Sequence, residues 1–275
     1  MQFSLSDEQH LLSDSIGKFV SDHSTVERHR QLRSTEAGFD PACWQQFAEL
    51  GWLCVPFTED QGGLGGSAAD LMVVCEALGR GVVREPYLHT AVICGSLLRF
   101  GADQDQQERY LPGLIAGEQQ WAFAFAEASG GYSLAARETV AREQGDGWLL
   151  AGRKIAVLNG HCADKYIVSA CDDAGDTGLF LVDATQSGLR REPFAALDGS
   201  RGAVLELDGV EVAADAVLAA PGGAGSLIEA AVDRAIIAMA AESLGAMQCL
   251  LDATVEDTKT REQFGQAIGK FQALQ

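Results

Sequence analysis

The chain has 275 residues, of which 47% are hydrophobic, and a formal net charge of −19 from 39 acidic and 20 basic residues. A surface of that sign repels nucleic acid and anionic membranes, and a soluble acidic surface is the simplest explanation of the charge. No apolar run approaches the roughly 20 residues of a membrane span, and the N-terminus lacks the basic and apolar regions of a secretory signal. The composition predicts a cytoplasmic globular protein that binds neither nucleic acid nor membrane.

The cysteines and histidines form no pattern that binds a metal. Seven cysteines are present, an odd number with wide spacings and no C-x-x-C. Most lie in apolar stretches such as VVCEAL and AVICGSLL, which favours buried thiols in a reducing compartment over disulfides or zinc. The five histidines show no metal-ligand spacing. We predict no metal site.

The first part of the chain has the apolar periodicity of amphipathic helices. Capping signals predict helix starts at Ser6, Asp40, Ser67 and Asp103, and a further apolar helix is predicted over 90–100. Around Trp121 the period changes to short stretches rich in aromatic and β-branched residues and separated by Gly, Asp or Asn. These stretches are WAFAFAE, GWLLAG, KIAVLNG, KYIVSA, GLFLVD and AVLELDGVEV. No helical segment intervenes, so an antiparallel sheet or barrel is favoured over βαβ units.

After residue 223 the helical period returns and runs with almost no breakers to about Lys259. Its predicted buried stripe is Ile228, Val232, Ile236, Met239, Leu244, Met247 and Leu251. The final stretch, TREQFGQAIGKFQALQ, is predicted to continue the helical region because the usual helix-stop signals are missing. The pattern predicts an α+β multidomain protein, with an N-terminal helical domain (1–118), a middle antiparallel β domain (119–220) and a C-terminal helical domain (221–275).

This order resembles the acyl-CoA dehydrogenase family over essentially the whole chain. The motifs that carry the resemblance are LGWLCVPFTEDQGGLGGS, EALGR, YLPGLIAGE, RGAVLELDGVEV and TREQFGQAIGKFQ. The nearest resemblance is to small subunits of the pimeloyl-CoA dehydrogenase type, which pair with a large acyl-CoA dehydrogenase subunit. The family's C-terminal bundle has two further long helices, so the resemblance implies that this sequence is truncated.

The resemblance also implies a reaction and partners. In the family, FAD lies between the β domain and the bundle, a glutamate removes an α proton from an acyl-CoA, and a β hydride passes to the flavin. A homo- or heterotetramer, an electron-transferring flavoprotein and a role in fatty acid or lipid catabolism are implied with it. The resemblance gives only a weak indication of the substrate, which would carry a long, dicarboxylic, branched or ring-bearing acyl group.

The family's R-x-x-F-G motif implies the residues that hold FAD here. Arg261 matches the arginine that reaches a neighbouring subunit's FAD diphosphate, and its forked, permanent charge suits phosphate oxygens. Gln263 and Phe264 match neighbouring contacts, and Gln272 matches a further contact. The alternative explanation is that Arg261 is a solvated cation at the end of the helix and that Phe264 packs in the core.

The flavin-ring half of the site is degenerate against the family pattern. Ala126 stands at the family's threonine and Tyr132 at its serine. Ala156 and Leu158 replace the tryptophan and threonine of Trp-x-Thr-Asn-Gly. A ring bound here would lose side-chain hydrogen bonds of about 1 kcal/mol each, together with stacking. Backbone N–H groups remain an alternative way to hold the ring.

No catalytic residue is assigned in this chain. Ala235 occupies the position where a minority of family members carry the base, and Ile236 replaces the adjacent arginine. Asp233 matches a family aspartate near the CoA end of the substrate, although an ordinary surface acid is nearly as good an explanation. Glu229 and Glu242 lie elsewhere on that helix, and neither is predicted to be the base.

Three hypotheses follow. The first is a small, largely non-catalytic subunit that shares an FAD site with a large subunit. The second is a homomeric enzyme whose glutamate lies in the missing C-terminal region. The third is a scaffold subunit without flavin.

Overall fold

The computed structural model describes residues 4–274, in the predicted order of helices, a β region and a long helix. Residues 1–3 and 275, at the ends of the first and third predicted domains, lie outside the described residues. The helices are α1 (Asp7–His23), α2 (Val26–Ser34), α3 (Pro41–Glu49), α4 (Ala68–Arg80), a π-helical turn (Leu88–Cys94) that continues into α5 (Gly95–Gly101), α6 (Gln104–Ile115) and α7 (Ala224–Thr260). The strands are β1 (Trp121–Ala124), β2 (Val140–Gln144), β3 (Gly147–Leu158), β4 (Lys165–Cys171), β5 (Thr177–Asp183), β6 (Leu189–Ala195), β7 (Arg201–Val212), β8 (Val217–Ala219), β9 (Glu262–Gln263) and β10 (Gln266–Ala267).

The N-terminal helices begin where the capping signals predict. The side chain of Ser6 accepts a hydrogen bond from the N–H of Gln9, and the side chain of Gln9 accepts one from the N–H of Ser6. Asp40, Ser67 and Asp103 likewise accept hydrogen bonds from N–H groups in the first turns of α3, α4 and α6. These bonds satisfy N–H groups that have no partner inside the helix, so each cap fixes a helix start through local chemistry.

The β region is one eight-stranded sheet in the order β6-β7-β3-β2-β4-β5-β8, with β1 paired to β4. Most pairs are antiparallel, as predicted, but β1–β4 and β2–β4 are parallel. Strand direction depends on which strands meet in three dimensions, and spacing along the chain does not record it. The stretches GWLLAG and KIAVLNG form the single strand β3, which is irregular between Lys154 and Val157.

The prediction for the buried face of α7 is wrong over most of its length. Ile228 is buried and Val232 packs against the core. The exposed members of the predicted stripe are Ile236, Met239, Leu244, Met247 and Leu251. The face that is buried along this part of the helix instead carries Ala231, Ala235, Ala238, Ala241 and Gly245.

Small residues are buried because α7 crosses α4 with the two backbones in contact. A Cβ atom on Gly79 of α4 would lie 2.0 Å from the backbone oxygen of Glu242, and one on Gly245 would lie 2.0 Å from the backbone oxygen of Glu76. Nothing larger than hydrogen fits at either position. The close crossing therefore selects alanine and glycine for this face, and the large apolar side chains point elsewhere.

The C-terminal stretch is also not helical, contrary to the prediction. α7 ends at Thr260, and β9 and β10 form a hairpin in which Gln263 pairs with Gln266. The two residues between them, Phe264 and Gly265, have φ angles of 53° and 80°, which are the positive values of a two-residue hairpin turn. The Phe-Gly pair therefore forms a hairpin turn, and a hairpin turn is not among the helix-stop signals used for the prediction.

The length and composition of α7 alone would suffice to cross a membrane. Core helices of soluble proteins share this property, and α7 packs against α4 along its small-residue face.

Candidate functional site

A cavity of about 660 Å³ lies where the helical region, the sheet and α7 meet. Its walls come from the C-terminal end of α4 and the segment after it, from the ends of β1 and β3, from the loop before β7, and from the middle of α7. The cavity walls include both apolar side chains, such as Phe123 and Met239, and charged ones, such as Arg84 and Asp198. An apolar cavity with few polar groups is the usual form of a small-molecule site.

Three of the four predicted flavin-facing positions line this cavity. Ala126 lies in the loop after β1, and Ala156 and Leu158 lie at the end of β3; all three line the cavity. Tyr132 does not join them, because it lies in the loop after β1 with its side chain fully exposed. None of the three lining side chains carries a hydrogen-bonding atom.

Backbone strain is concentrated at this cavity and at the C-terminal hairpin. Among residues 4–274, the non-glycine residues with positive φ are Val82, Ala156, Asn159 and Phe264. The first three line the cavity, and the fourth forms the turn of the hairpin. Positive φ is uncommon outside glycine and costly for β-branched and bulky side chains. Because strained residues cluster at ligand sites, their distribution marks both regions as candidate sites.

A buried ion pair fixes the loop that follows β1. The Lys154 Nζ donates to Glu127 Oε1 at 2.7 Å, to Ser169 Oγ and to the carbonyl of Phe125. Glu127 also accepts hydrogen bonds from the N–H groups of residues 137–139 at 2.7 to 2.9 Å. Burial alone would raise the pKa of Glu127, but Lys154 and these N–H groups outweigh it and lower the pKa to about 2. The pair ties both ends of the loop that contains Tyr132 to the sheet.

Two polar side chains of the cavity wall make no hydrogen bond within the part of the chain that the structure describes, those of His89 and Glu242. Burial lowers the pKa of His89 to about 4, so its imidazole is neutral at pH 7. Burial raises the pKa of Glu242. Sequence reasoning did not single out His89 and set Glu242 aside. Glu242 follows Ala235 by one heptad on the helix, a spacing that could have placed it on the same face.

The predicted FAD-diphosphate residues lie together at the end of α7. Arg261 follows the last helical residue directly, Gln263 is in β9, and Phe264 forms the turn with its ring 93% exposed. Gln272 lies in a short 3₁₀ turn beyond the hairpin and is exposed. The guanidinium of Arg261 is exposed and makes no hydrogen bond or ion pair with any described residue.

The hairpin and the cavity are separate on this chain. Ala246 is the last residue of α7 that lines the cavity, and at 1.5 Å per residue it lies about 22 Å along the helix from Arg261. Apart from Tyr132, the structure therefore groups the residues of each half of the predicted cofactor site, but it does not join the two halves.

The remaining predicted positions on α7 lie outside the cavity wall. Asp233 is exposed on the helix surface, and Ile236 is also exposed. Ala235 is buried in the small-residue face. No carboxylate occupies the position of a base at Ala235.

Comparison with known proteins identifies the family. The family models for the N-terminal, middle and C-terminal domains of acyl-CoA dehydrogenases match residues 6–118, 122–210 and 223–275. The mitochondrial isovaleryl-CoA dehydrogenase of Pongo abelii is 30% identical over 98% of this chain and 67% of that protein. The chain thus spans about two thirds of that relative's length.

Solved structures share the fold over nearly the whole chain. The steroid ACAD Tcur3481-Tcur3483, as a G363A variant, is 32% identical with a TM-score of 0.86, and the match covers 98% of this chain and 72% of that one. The ChsE4-ChsE5 complex from Mycobacterium tuberculosis is 28% identical with a TM-score of 0.86. That match covers 99% of this chain and 72% of the other chain. A glutaryl-CoA dehydrogenase from Mycobacterium smegmatis, in complex with FADH2, has a TM-score of 0.89 at 24% identity. That match covers 98% of this chain and 70% of the other chain, and it supports the fold alone. The sequence matches and the shared fold show that this chain belongs to the acyl-CoA dehydrogenase family.

Proposed function

We propose that this chain is a small, largely non-catalytic subunit of an FAD-dependent acyl-CoA dehydrogenase and shares each FAD with a partner chain. The enzyme would introduce an α,β double bond into an acyl-CoA thioester. The observation that carries the proposal is the separation of an exposed hairpin bearing Arg261 from a cavity whose flavin-facing side chains are Ala126, Ala156 and Leu158. A hairpin that is about 22 Å from its own cavity can serve a cofactor whose ring lies in another chain.

The hairpin suits the diphosphate part of FAD. Arg261 offers a guanidinium that no described residue pairs with, and such a fork binds phosphate oxygens bidentately. Gln263 and Gln272 add exposed amide groups. The ring of Phe264 is held in the open by a turn that a phenylalanine adopts only with strain, which supports a contact role over a packing role.

The ring part of FAD is less well served by this chain. The alanine and leucine side chains at 126, 156 and 158 offer no hydrogen bond to a flavin. We therefore assign the flavin ring mainly to the partner and derive no step through a flavin in this cavity.

The reaction needs a base that removes the α proton, while bound FAD supplies the hydride acceptor. Ala235 cannot remove a proton, and Asp233 is exposed on the helix and does not line the cavity. A base has to lie within hydrogen-bond reach of the proton that it takes. In this proposal the glutamate belongs to the partner, and this chain contributes Arg261 and the amides that hold the cofactor.

The partner would be a large acyl-CoA dehydrogenase subunit in a heterotetramer, with an electron-transferring flavoprotein as the electron acceptor. The solved ChsE4-ChsE5 complex supports a heteromeric arrangement within this fold. We also propose a cytoplasmic location, a role in lipid catabolism and the division into domains 1–118, 119–220 and 221–275. The cysteines are free thiols, which agrees with a reducing compartment.

The visible absorption spectrum of the full-length protein tests the proposal. We expect a colourless protein when the chain is purified alone and about one FAD per pair of chains when a large subunit is co-expressed. One FAD per chain in the protein purified alone would contradict the proposal.

A homomeric enzyme is the second candidate, because the isovaleryl-CoA dehydrogenase relative is named as an enzyme in its own right. Its glutamate would come from outside these 275 residues, and the flavin would be held by backbone N–H groups. Acyl-CoA-dependent bleaching of flavin in the protein purified alone would support this candidate over the small-subunit function.

A further inference from the structure

Two arginines flank the aromatic ring of Phe100 where α5 meets α7. The guanidinium carbon of Arg99 lies 5.4 Å from the centre of the ring, and that of Arg234 lies 5.9 Å from it. Neither guanidinium forms an ion pair with any residue from 4 to 274, and that of Arg99 donates only to the carbonyl of Pro56. Two like charges therefore lie beside one ring without a carboxylate paired to either of them.

The guanidinium of Arg234 has an unpaired edge inside the protein. Its Nε and Nη2 atoms are removed from solvent and have no hydrogen-bond partner among the described residues. These two nitrogens lie on the same edge of the group, and that edge can donate to two oxygens of one anion. Burial, and then the charge of Arg99, lower the pKa of Arg234, although arginine remains charged in proteins. An unpaired charge in such surroundings is unfavourable, and an anion that supplies two oxygens relieves it.

A groove of about 410 Å³ opens beside the same ring. The ring of Phe100 is 46% exposed, so it is accessible to a ligand in the groove. Arg234 follows the last groove residue of α7 by one helical turn, and helical side chains lean towards the N-terminus, which brings the guanidinium back to the ring. The apolar side chains of the lining come from the end of α5, from β8 and from the first turns of α7, and include Phe100, Leu218, Ala219, Leu227 and Ala230.

The charges and the groove together define the class of ligand. Two guanidinium groups balance one compact dianion, whereas a single carboxylate would leave one of them unpaired. A phosphate monoester carries about −1.5 to −2 charges at pH 7, and its three free oxygens can accept from both arginines. The apolar groove suits the organic group that is esterified to the phosphate.

We propose that Arg99, Arg234 and the groove beside Phe100 form a binding site for a small organic phosphate monoester. The groove shares no lining residue with the cavity of about 660 Å³. The hairpin that carries Arg261 lies at the other end of α7. The inference therefore does not depend on the shared-FAD function.

Thermal unfolding of the full-length protein in the presence of phenyl phosphate tests the inference. We expect the melting temperature to rise by about 3–5 °C when phenyl phosphate is present at ten times its dissociation constant. Phenylacetate also has a phenyl ring but carries a single charge. In calorimetric titrations at matched ionic strength, it should bind about tenfold more weakly than phenyl phosphate.

Substitutions of Arg234 separate a ligand-binding role from a structural one. Arg234→Met removes the guanidinium, and we expect it to abolish the rise in melting temperature that phenyl phosphate causes. Without phenyl phosphate, this variant should melt at or above the temperature of the wild type, because an unpaired buried charge has been removed. A residue with only a structural role would lower the melting temperature when replaced. Arg234→Lys keeps the charge without the forked edge and should weaken binding about three- to tenfold.

The matched control is Arg137→Met, at an exposed arginine of the loop between β1 and β2 whose side chain pairs with no described residue. It should leave the affinity for phenyl phosphate unchanged. A wild type that does not respond to phenyl phosphate, equal affinities for the two probes, or a response that survives Arg234→Met overturns the inference. So does a lower melting temperature of Arg234→Met without phenyl phosphate, because another part of the full-length protein would then already pair with Arg234.

Discussion

At the scale of single residues, the buried pair of Glu127 and Lys154 shows how the sheet positions a loop. Both side chains are almost fully removed from solvent, at 1% and 0% exposure. Two isolated charges would be very unfavourable there, so the pair and the N–H groups that surround Glu127 have to form together. The loop between β1 and β2 is therefore held at its start by Glu127 and at its end by residues 137–139.

We predict that Glu127→Gln lowers the free energy of unfolding of the full-length protein by about 3–5 kcal/mol at pH 7, because Lys154 remains buried without its counter-charge. Urea-induced unfolding measures the loss. Adding Lys154→Met to the variant should recover part of it. The control is Asp183→Asn, which breaks the more exposed ion pair with Lys165 and should cost about 1 kcal/mol or less.

The stability that Glu127 contributes changes with pH in a defined direction. The pKa of Glu127 in the folded protein is about 2, below its ordinary value of 4.5. A lowered carboxyl pKa contributes stability that is complete above pH 4.5 and is lost as the pH falls towards 2. The wild type should therefore lose more stability than Glu127→Gln over this window, and parallel stability curves would contradict the assignment.

At the scale of elements, the crossing of α4 and α7 decides how the long helix presents its side chains. Gly79 and Gly245 bring the backbones together, so the alanine face is buried and the larger residues are exposed. The same crossing places Glu242 at the cavity wall. The packing of α4 against α7 therefore helps to form the cavity. Neither glycine lies near the hairpin.

We predict that Gly245→Ala destabilises the protein by about 1–3 kcal/mol, because the added methyl group would meet the backbone oxygen of Glu76. The matched control is Gly17→Ala in the interior of α1, where nothing lies within 4 Å of the added Cβ. That change should raise the free energy of unfolding by about 0.5–1 kcal/mol through helix propensity. Urea denaturation compares the two variants, and destabilisation of similar size in both would contradict the close crossing.

At the scale of the whole molecule, two candidate sites lie at different places on one chain. The hairpin at the end of α7 carries an unpaired cation and an exposed aromatic ring, while the cavity at the middle of α7 carries the strained and polar positions. A protein organised in this way can complete a neighbour's site and still keep a cavity of its own. A scaffold that only fills an interface would need neither feature, and the Arg261 variant below tests the two hypotheses against each other.

We predict that Arg261→Ala in the full-length complex lowers FAD content at least tenfold while the assembled mass stays unchanged. An arginine bound to phosphate contributes a charge-assisted hydrogen bond and direct charge neutralisation. Flavin absorbance and light scattering measure the two properties. Arg142→Ala, at an exposed arginine of β2 with only a long ion pair, is the control and should change neither. Unchanged flavin content in Arg261→Ala would favour the scaffold hypothesis.

The sequence by itself determined the features that depend on neighbouring residues. Helix starts follow from caps such as Ser6 with Gln9, strands follow from short β-branched stretches, and the ordered motifs indicated the family and the α+β fold. The family resemblance implies that Ala126, Ala156 and Leu158 face the flavin. All three line the cavity, and their role toward a flavin stays a prediction.

Only the tertiary structure decided which face of α7 is buried, where Glu242 lies and how the chain turns after Thr260. Apolar periodicity identifies a helix, but the buried face depends on how closely a second backbone approaches, and two glycines set that distance. The turn at Phe264 and Gly265 needs positive φ at a bulky residue, which the propensity of phenylalanine alone opposes. The buried face of α7 and the position of Glu242 arise from contacts between distant segments, which sequence periodicity does not record. The turn is a local pairing of Gln263 with Gln266, and it was missed because its first residue is a phenylalanine.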